Sequence, residues 1–423
     1  MNNDKQNILI VTQYFWPENM RINDLVEGFV KKGHNVTVLT GLPNYPDGKV
    51  FAQYKENKGA FCQYKGAEIV RVPMLPRGKR SLTLMLNYLT FFLSASVLGL
   101  FKLRKRKFDA IFVYAVSPIM AAIPAIVIGR VKNAPVFLWV LDLWPDTLSA
   151  VGVVSNKHIL KSVGWVVSWI YNRADYILFQ SKSFKSNILG YCTRKVHDDR
   201  LVYFPSWSED IIANTGDSEQ CQLLQKVDGV FTVMFAGNLG EAQDFPSIIN
   251  AFEQLKDNPS IRLIIVGDGL MLPWVKNEIN TRKLNNITLL GRHPVSEMPG
   301  LFSCADALLV SLKKIEIFSR TIPGKLQAYL ATGKPIIGMV DGEAADVIRE
   351  SGSGLVGPSG DVDALVKNLC ALSELSVEER QLMGRDGVDF YNQHFRSSLL
   401  FDKLEQLFSG STLRRKAYTH NPA

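Results

Sequence analysis

Through the first two hundred residues, short apolar runs of strand length alternate with segments of helical periodicity. NILIVTQ (7–13) is followed by Arg21–Lys32, where apolar positions return every three or four residues, and the turn KKGHN leads into VTVLT (36–40). DAIFVYA (109–115) and PVFLWVLD (135–142) continue the series. The pattern restarts at FTVMFAGNLG, then IRLIIVGDG, ITLLG, DALLVSL and KPIIGMV, with helical segments such as Pro246–Leu255 and Leu272–Lys283 between them. Near-continuous apolar strands alternating with helices predict parallel sheets covered on both faces. The fold class is therefore α/β, with two Rossmann-like doubly wound domains facing a central cleft, where the carboxyl ends of the strands collect ligands. The polar stretch 213–229 lacks strand periodicity and reads as the linker. It separates an N-terminal domain (1–212) from a C-terminal domain (230–405), and a tail (406–423) is expected to pack back on the first domain.

Length agrees, since 423 residues exceed one ordinary core. With 47% hydrophobic and 21% charged residues the chain is globular rather than disordered. The five cysteines form no C-x-x-C pair, so neither a disulfide framework nor a zinc knuckle is suggested, and a reducing cytoplasm fits. The start, MNNDKQNILIVTQ, has no charged-then-apolar leader.

Charge changes the picture once it is located. The net charge is +8, and nine basic residues with no acidic ones lie between Ile69 and Phe108: Arg71, Arg77, Lys79, Arg80, Lys102, Arg104, Lys105, Arg106 and Lys107. They bracket Ser81–Phe101, 21 residues without a charge. Basic clusters around an apolar stretch point to anionic lipid and away from nucleic acid. The stretch is long enough to span a bilayer, but strands on either side of it belong to one sheet, which a single crossing would separate. Thr83, Asn87, Thr90 and Ser94 also make a polar stripe at helical spacing. The expectation is a helix lying in the interface of the inner membrane face, with a buried domain helix as the alternative.

The segments YFWPENMRINDL, GHNVTVLTGLPNYPDGKV, WVLDLWPDTL, GNLGEAQDF, GDG, LLGRHP and PGKLQAYLATGKPII follow one another over about 10–340. In that order the chain resembles the retaining glycosyltransferases of family four, which have the GT-B fold, and especially the branch that builds O-antigen, capsule and colanic-acid units. That resemblance implies a UDP-sugar donor, such as UDP-N-acetyl-L-fucosamine, and an undecaprenyl-diphosphate-linked acceptor at the membrane surface. Two departures stand out. The family's Glu, seven residues, Glu pattern falls on Ser319 and Gln327, and its basic pair after the first C-domain strand reads Asn238, Gln243 and Asp244.

A diphosphate needs positive charge and amide donors at a helix start. SRTIPGKLQAYLA offers both, with Pro323 suited to the first turn, Ser319–Gly324 as the approach and Arg320 and Lys325 as cations. Arg292 in LLGRHP supplies a third charge, Gln327 stands where ribose hydroxyls are bound in the family, and Asn238 and Gly240 belong to the first C-domain loop. In the N-terminal domain Asp142 ends an apolar strand and is positioned to orient or deprotonate an acceptor hydroxyl, with Trp144 and Asp146 shaping the pocket. Glu18 is the second catalytic candidate. Asn19 and Arg21 share its loop, which lies near donor phosphate and acceptor in the family, and Asn44 and Tyr45 come from the GLPNYPDGK segment.

Other signals read as structural. Asp361-Val362-Asp363 resembles a metal-binding D-x-D but opens a helix after GPSG, where capping explains it. His34 lies in a turn, and six scattered His predict no metal requirement. Trp165 and Trp169, four apart, either extend an interfacial surface or pack a helix face. Two rivals to transfer stay open, a nucleotide-sugar 2-epimerase and a non-catalytic transferase-like subunit of a polysaccharide assembly complex.

Overall fold

A computed structural model of the chain describes residues 5–78, 81–150, 154, 156–193, 198–209, 212 and 229–420. Of the expected 213–229 linker only Gly229 falls within them, and Lys79 and Arg80 lie outside. The chain divides into two compact units, Met1–Pro205 with Ser398–Ala423, and Ser206–Ser397.

The first unit holds β1 (Asn7–Val11), β2 (Asn35–Thr40), β3 (Gln63–Tyr64), β4 (Ala67–Arg71), β5 (Ala110–Ala115), β6 (Val136–Val140), β7 (Tyr176–Phe179) and β8 (Leu201–Tyr203). They form one sheet in the order β3-β4-β2-β1-β5-β6-β7-β8, parallel throughout except for the β3–β4 pair. β1 is central, with Leu9 opposite Thr37 on one side and Ile111 on the other. Both of its faces are covered, which is why Ile8 through Val11 are all fully buried and the strand shows no alternation.

The second unit is wholly parallel, with β9 (Phe231–Ala236), β10 (Ile261–Val266), β11 (Ile287–Gly291), β12 (Ala307–Ser311), β13 (Ile336–Met339) and β14 (Gly354–Gly357) in the order β11-β10-β9-β12-β13-β14. Alternate residues of β9 feed two cores, Val233 and Phe235 on one face and Met234 and Ala236 on the other. The two doubly wound sheets are the α/β architecture expected. The helices Arg21–Lys31, Phe245–Gln254 and Leu272–Arg282 fall within a residue of their expected bounds. Asp361 accepts the Ala364 N–H at 2.9 Å, so the D-x-D segment caps its helix.

The boundaries differ from those expected. Ile212 packs in the core of the second unit, so the chain from Ser206 belongs there. The return to the first unit begins at Ser398, earlier than 406, because the helix Ser397–His420 lays Phe401 and Phe408 against Phe29. Phe408 is fully buried, with its ring 4.6 Å from that of Phe137. Beside it, Glu405 accepts from Lys32 at 2.8 Å and meets His34 Nε2 at 2.8 Å, while Lys32 also pairs with Asp402. His34 is thus a structural anchor for the last helix. Among the described residues Cys62, Cys192 and Cys370 are free thiols.

The Ser81–Ser94 helix continues through a π-helical turn (Ala95–Gly99) into Leu100–Lys102. Its polar stripe is divided, with Thr83 exposed, Thr90 and Ser94 half-buried and only Asn87 wholly inside. Asn87 is fully buried, and Thr90 accepts the Leu75 N–H at 3.0 Å. Met85, Leu86, Leu93, Val97, Leu98 and Phe101 are exposed instead. Of the basic bracket, Arg71 donates to the Gly41 and Trp16 carbonyls, and Arg106 makes two 2.6 Å bonds to Glu68. Lys102, Arg104, Lys105 and Lys107 remain exposed.

Truncating Phe408 to Ala removes a ring from the junction of helix and sheet. We expect the variant to lose about 3–5 kcal/mol of stability, as such core deletions do. Urea denaturation followed by tryptophan fluorescence checks this, and an unchanged midpoint contradicts the anchoring role.

Candidate active site

In the second unit the loops after β9, β10 and β11 and the start of the Gly324–Ala331 helix surround a cavity of about 510 Å³. Its walls include Asn238, Asp268, Arg292, His293, Lys325 and Tyr329. The loops approach one another closely. A Cβ on Gly267 would lie 1.9 Å from the Gly237 carbonyl oxygen, and Gly267 has φ +144°, so a side chain is excluded on both counts. Tyr329 binds the helix to β9, donating to the Ala236 carbonyl at 3.1 Å and accepting the Ala236 N–H at 2.8 Å.

Lys325 is the strongest feature of this cavity. Its ammonium is out of solvent, has no hydrogen-bond partner and lies 3.6 Å from the centre of the Phe235 ring. Burial lowers its pKa to about 7. An unpaired buried cation at a helix start is a poor stability choice, and it becomes intelligible as one half of an ion pair whose other half is an incoming anion. Arg292 shares the cavity, and His293 is held by Glu297 at 2.8 Å.

The remaining expected donor residues do not line this cavity. Arg320 donates to Glu316 at 2.6 Å within its own turn, and Ser319 donates to the Glu316 carbonyl at 2.7 Å. Gln327 is fully buried, its amide set so that Nε2 donates to the Pro323 and Gly324 carbonyls at 3.0 and 3.2 Å. It braces the loop before the helix, and its burial opposes the expected ribose contact. Gly240 donates its N–H to Gln243 Oε1 at 2.9 Å, so Gln243, at one of the family's basic positions, closes the loop upon itself.

In the first unit Glu18 is 3% exposed and accepts N–H groups from Phe15, Asn44 and Tyr45 at 2.9, 2.8 and 2.7 Å. Burial pushes its pKa up, against those three donors. With its oxygens bonded to backbone, Glu18 holds two loops together in this structure. Asn44 is buried for the same purpose, accepting the Arg77 N–H at 2.7 Å and donating to the Leu42 carbonyl at 2.7 Å. Asn19 is exposed. Arg21 opens the first helix, and its backbone N–H bonds the Tyr114 hydroxyl. Tyr45 packs 5.3 Å from Tyr14. Trp144 is buried, its ring 6.4 Å from that of Tyr88. Asp146 accepts from Asn187 at 2.5 Å and lines a separate cavity beside Trp165, which is 67% exposed.

Asp142 follows β6. It is half-buried, and that burial alone raises its pKa to about 7. Its charge is felt by Tyr88 and Tyr114, which places it at the edge of the tyrosine cluster around β1 and β5. A carboxylate of that basicity suits proton abstraction from a hydroxyl near neutral pH. The sequence reading missed Tyr14, Tyr88, Tyr114, Asp268, His293 and Tyr329. The aromatic run in QYFW and the GDG turn were the available signals.

Such paired sheets with ligand loops at their carboxyl ends define a GT-B glycosyltransferase. Residues 19–207 match the glycosyl transferase 4-like domain and residues 230–374 the glycosyl transferases group 1, and the chain belongs to these glycosyltransferases. It is 25% identical over 324 residues to WcaI of Escherichia coli K12, named as a colanic acid biosynthesis glycosyl transferase, covering 73% of this chain and 76% of that one. The fold matches HepE of Anabaena in complex with UDP and glucose, with a TM-score of 0.66 at 15% identity over 96% of this chain and 99% of that one. It also matches WaaG, a glycosyltransferase involved in lipopolysaccharide biosynthesis, with a TM-score of 0.65 at 12% identity over 96% and 100% of the two chains.

Donor affinity is expected to fall as pH rises above 7. Free Lys325 loses its proton there, while a bound diphosphate restores its pKa toward the ordinary lysine value, so binding takes up a proton in that window. The slope approaches tenfold per pH unit, and Lys325→Met abolishes it while weakening binding at pH 7. Calorimetry of UDP-sugar binding in buffers of different ionisation enthalpy measures both effects. Asp142 generates the opposite limb. The acid is protonated below about 7, so kcat/KM should rise with pH through that value. Asp142→Asn should lower kcat by about 10²–10⁴ and remove the limb.

Proposed function

We propose that the protein transfers a sugar from a UDP-sugar to a polyprenyl-diphosphate-linked acceptor, with retention, at the cytoplasmic face of the membrane. The observation that carries this is Lys325, an unpaired ammonium buried at a helix start inside a cavity of nucleotide-binding position. The likeness to HepE with UDP bound supports a uridine nucleotide. Kinship with WcaI and likeness to WaaG support an acceptor from cell-surface polysaccharide assembly. The motif resemblance favours N-acetyl-L-fucosamine as the sugar and undecaprenyl diphosphate as the carrier.

In the proposed reaction the donor's C1–O bond to diphosphate breaks, Lys325 and Arg292 neutralise the departing charge, and the acceptor oxygen bonds C1 on the same face. Asp142 orients the acceptor hydroxyl and takes its proton. No protein nucleophile is required, and no metal is assigned a role.

Membrane contact rests on the exposed face of Thr83–Lys102, a helix long and apolar enough to cross a bilayer. β4 before it and β5 after it lie in one sheet, which a single crossing would separate, and this supports a helix lying along the lipid surface. Exposed Lys102, Arg104, Lys105 and Lys107 favour anionic headgroups, at about 1 kcal/mol each.

Purified protein offered UDP- and GDP-sugars with undecaprenyl-diphosphate-GlcNAc in excess EDTA should make product from UDP-N-acetyl-L-fucosamine, with the anomeric configuration kept. Turnover only with GDP-sugars overturns the donor assignment, and turnover only after magnesium or manganese is restored overturns metal independence. Replacing the four exposed basic residues with Gln should release the protein from anionic vesicles. Full retention on those vesicles removes the electrostatic part of the reading.

A further inference from the structure

We propose that a cavity in the first unit, walled by Tyr14, Tyr45, Tyr88 and Tyr114 and carrying Arg77, binds the phosphate-bearing sugar head of an amphiphilic acceptor. The acceptor's hydrocarbon chain lies on the outer side of the Ser81–Ser94 helix. This rests on the acceptor reading above and assigns it a place.

The cavity holds about 240 Å³, room for roughly eight waters. A sugar ring or phosphate fits that space, and a whole nucleotide does not. Among the described residues that line it, Arg77 is the one with a charge. Its guanidinium lies 5.5 Å from the Tyr45 ring centre and donates to the Tyr14 hydroxyl. Its backbone is fixed by the N–H bond to Asn44 and by Gly48, where a Cβ would lie 1.9 Å from the Arg77 carbonyl oxygen. An arginine so placed is suited to bidentate contact with phosphate.

A second observation points to the rest of the ligand. Gln13 lines the cavity at 3% exposure, and its Oε1 is a buried acceptor with no partner. Its Nε2 is already used, donating to Asn87 Oδ1 at 2.7 Å. A buried acceptor needs a donor, and a sugar hydroxyl supplies one. The tyrosine rings supply faces for the same sugar ring, while the Tyr14 hydroxyl is already committed, donating to Asn87 Oδ1 at 3.1 Å.

One helix joins the two halves of the ligand. Tyr88 lines the cavity and Asn87 holds its wall residues Gln13 and Tyr14, while Met85 and Leu86, the two residues before them, and Leu93 are exposed. A helix with side chains is about 10–12 Å across. An anion at Arg77 therefore lies within about one helix diameter of the apolar exterior, the distance over which a lipid diphosphate passes from headgroup to chain.

The test uses full-length protein and two readouts. Arg77→Gln should raise KM for undecaprenyl-diphosphate-GlcNAc roughly ten- to a hundredfold, the loss expected for a charge-assisted contact, with UDP-sugar affinity unchanged. Arg77→Lys should recover part of the loss. An acceptor with the same sugar on a neutral linkage should not distinguish wild type from Arg77→Gln, and equal losses on both acceptors overturn the assignment. The second readout needs no turnover: geranyl diphosphate binding by calorimetry. Wild type should bind it, Arg77→Gln at least tenfold more weakly, and saturating UDP should not displace it. Equal affinity in both proteins, or displacement by UDP, overturns the cavity. Should transfer fail while Arg77-dependent binding persists, the acceptor reading falls and the site stands.

Discussion

Parallel pairing is the constraint on which everything else depends. In both sheets every neighbouring pair except β3–β4 is parallel, so each strand must be followed by a crossover that returns to the same edge. All the loops at the carboxyl edge then stand side by side, whatever their spacing in sequence. That is how Gln13, Tyr45, Arg77 and Asp142, which follow β1, β2, β4 and β6, come to one side of the first unit. The same rule gathers Gly237, Asp268 and Arg292 after β9, β10 and β11 in the second. Burial of both sheet faces makes the strands apolar on every residue and leaves the loop edge as the place where polar chemistry accumulates.

What distinguishes function from support at that edge is whether a buried polar group already has a partner. Glu18 and Asn44 sit in conspicuous loops, yet their polar atoms meet backbone groups of the same unit, and they hold the loops still. Gln327 does likewise under the Gly324 helix start. Lys325 Nζ and Gln13 Oε1 are the reverse: both are withdrawn from water and left without a partner. Each is costly unless a ligand completes it, and they ask for opposite things, an anion in one unit and a hydroxyl donor in the other. Under the proposed reading, these two groups divide donor from acceptor chemistry between the units.

The strands that sequence makes plain are those with long apolar runs, and nine of them stand where the pattern places them. β3, β7, β8 and β14 have two to four residues each, too short for periodicity to register, and β4 is interrupted by Glu68 and Arg71. Among site residues, Lys325 and Arg292 were legible because a cation beside a proline-started helix or at a strand end has few structural reasons to be there. Arg320 looked equivalent on that ground. Its distinguishing feature, Glu316 one turn earlier, is a helical i,i+4 pairing that needed the short helix Glu316–Ser319 to be known. The tyrosines were illegible because their shared wall is built from four separate loops and helices.

Arg77 shows the same limit from the other direction. In sequence it belongs to a basic cluster beside an apolar helix, and its neighbours Lys102 and Lys107 do point to solvent. Charge counting cannot tell a residue that faces lipid headgroups from one that faces inward, since both need the same side chain. The burial pattern of the helix decides it. Asn87 is held by Gln13 and Tyr14 and lies with buried Tyr88, Phe91 and Ala95 on the inner face, Met85, Leu86, Leu93 and Val97 are outward, and the Arg77 N–H is tied to Asn44 on the inner side. The helix thus shows apolar residues on both sides, Phe91 and Ala95 to the protein and Met85, Leu93 and Val97 to the surroundings. The same orientation that exposes the apolar residues is what brings a phosphate-sized cavity within one helix diameter of them.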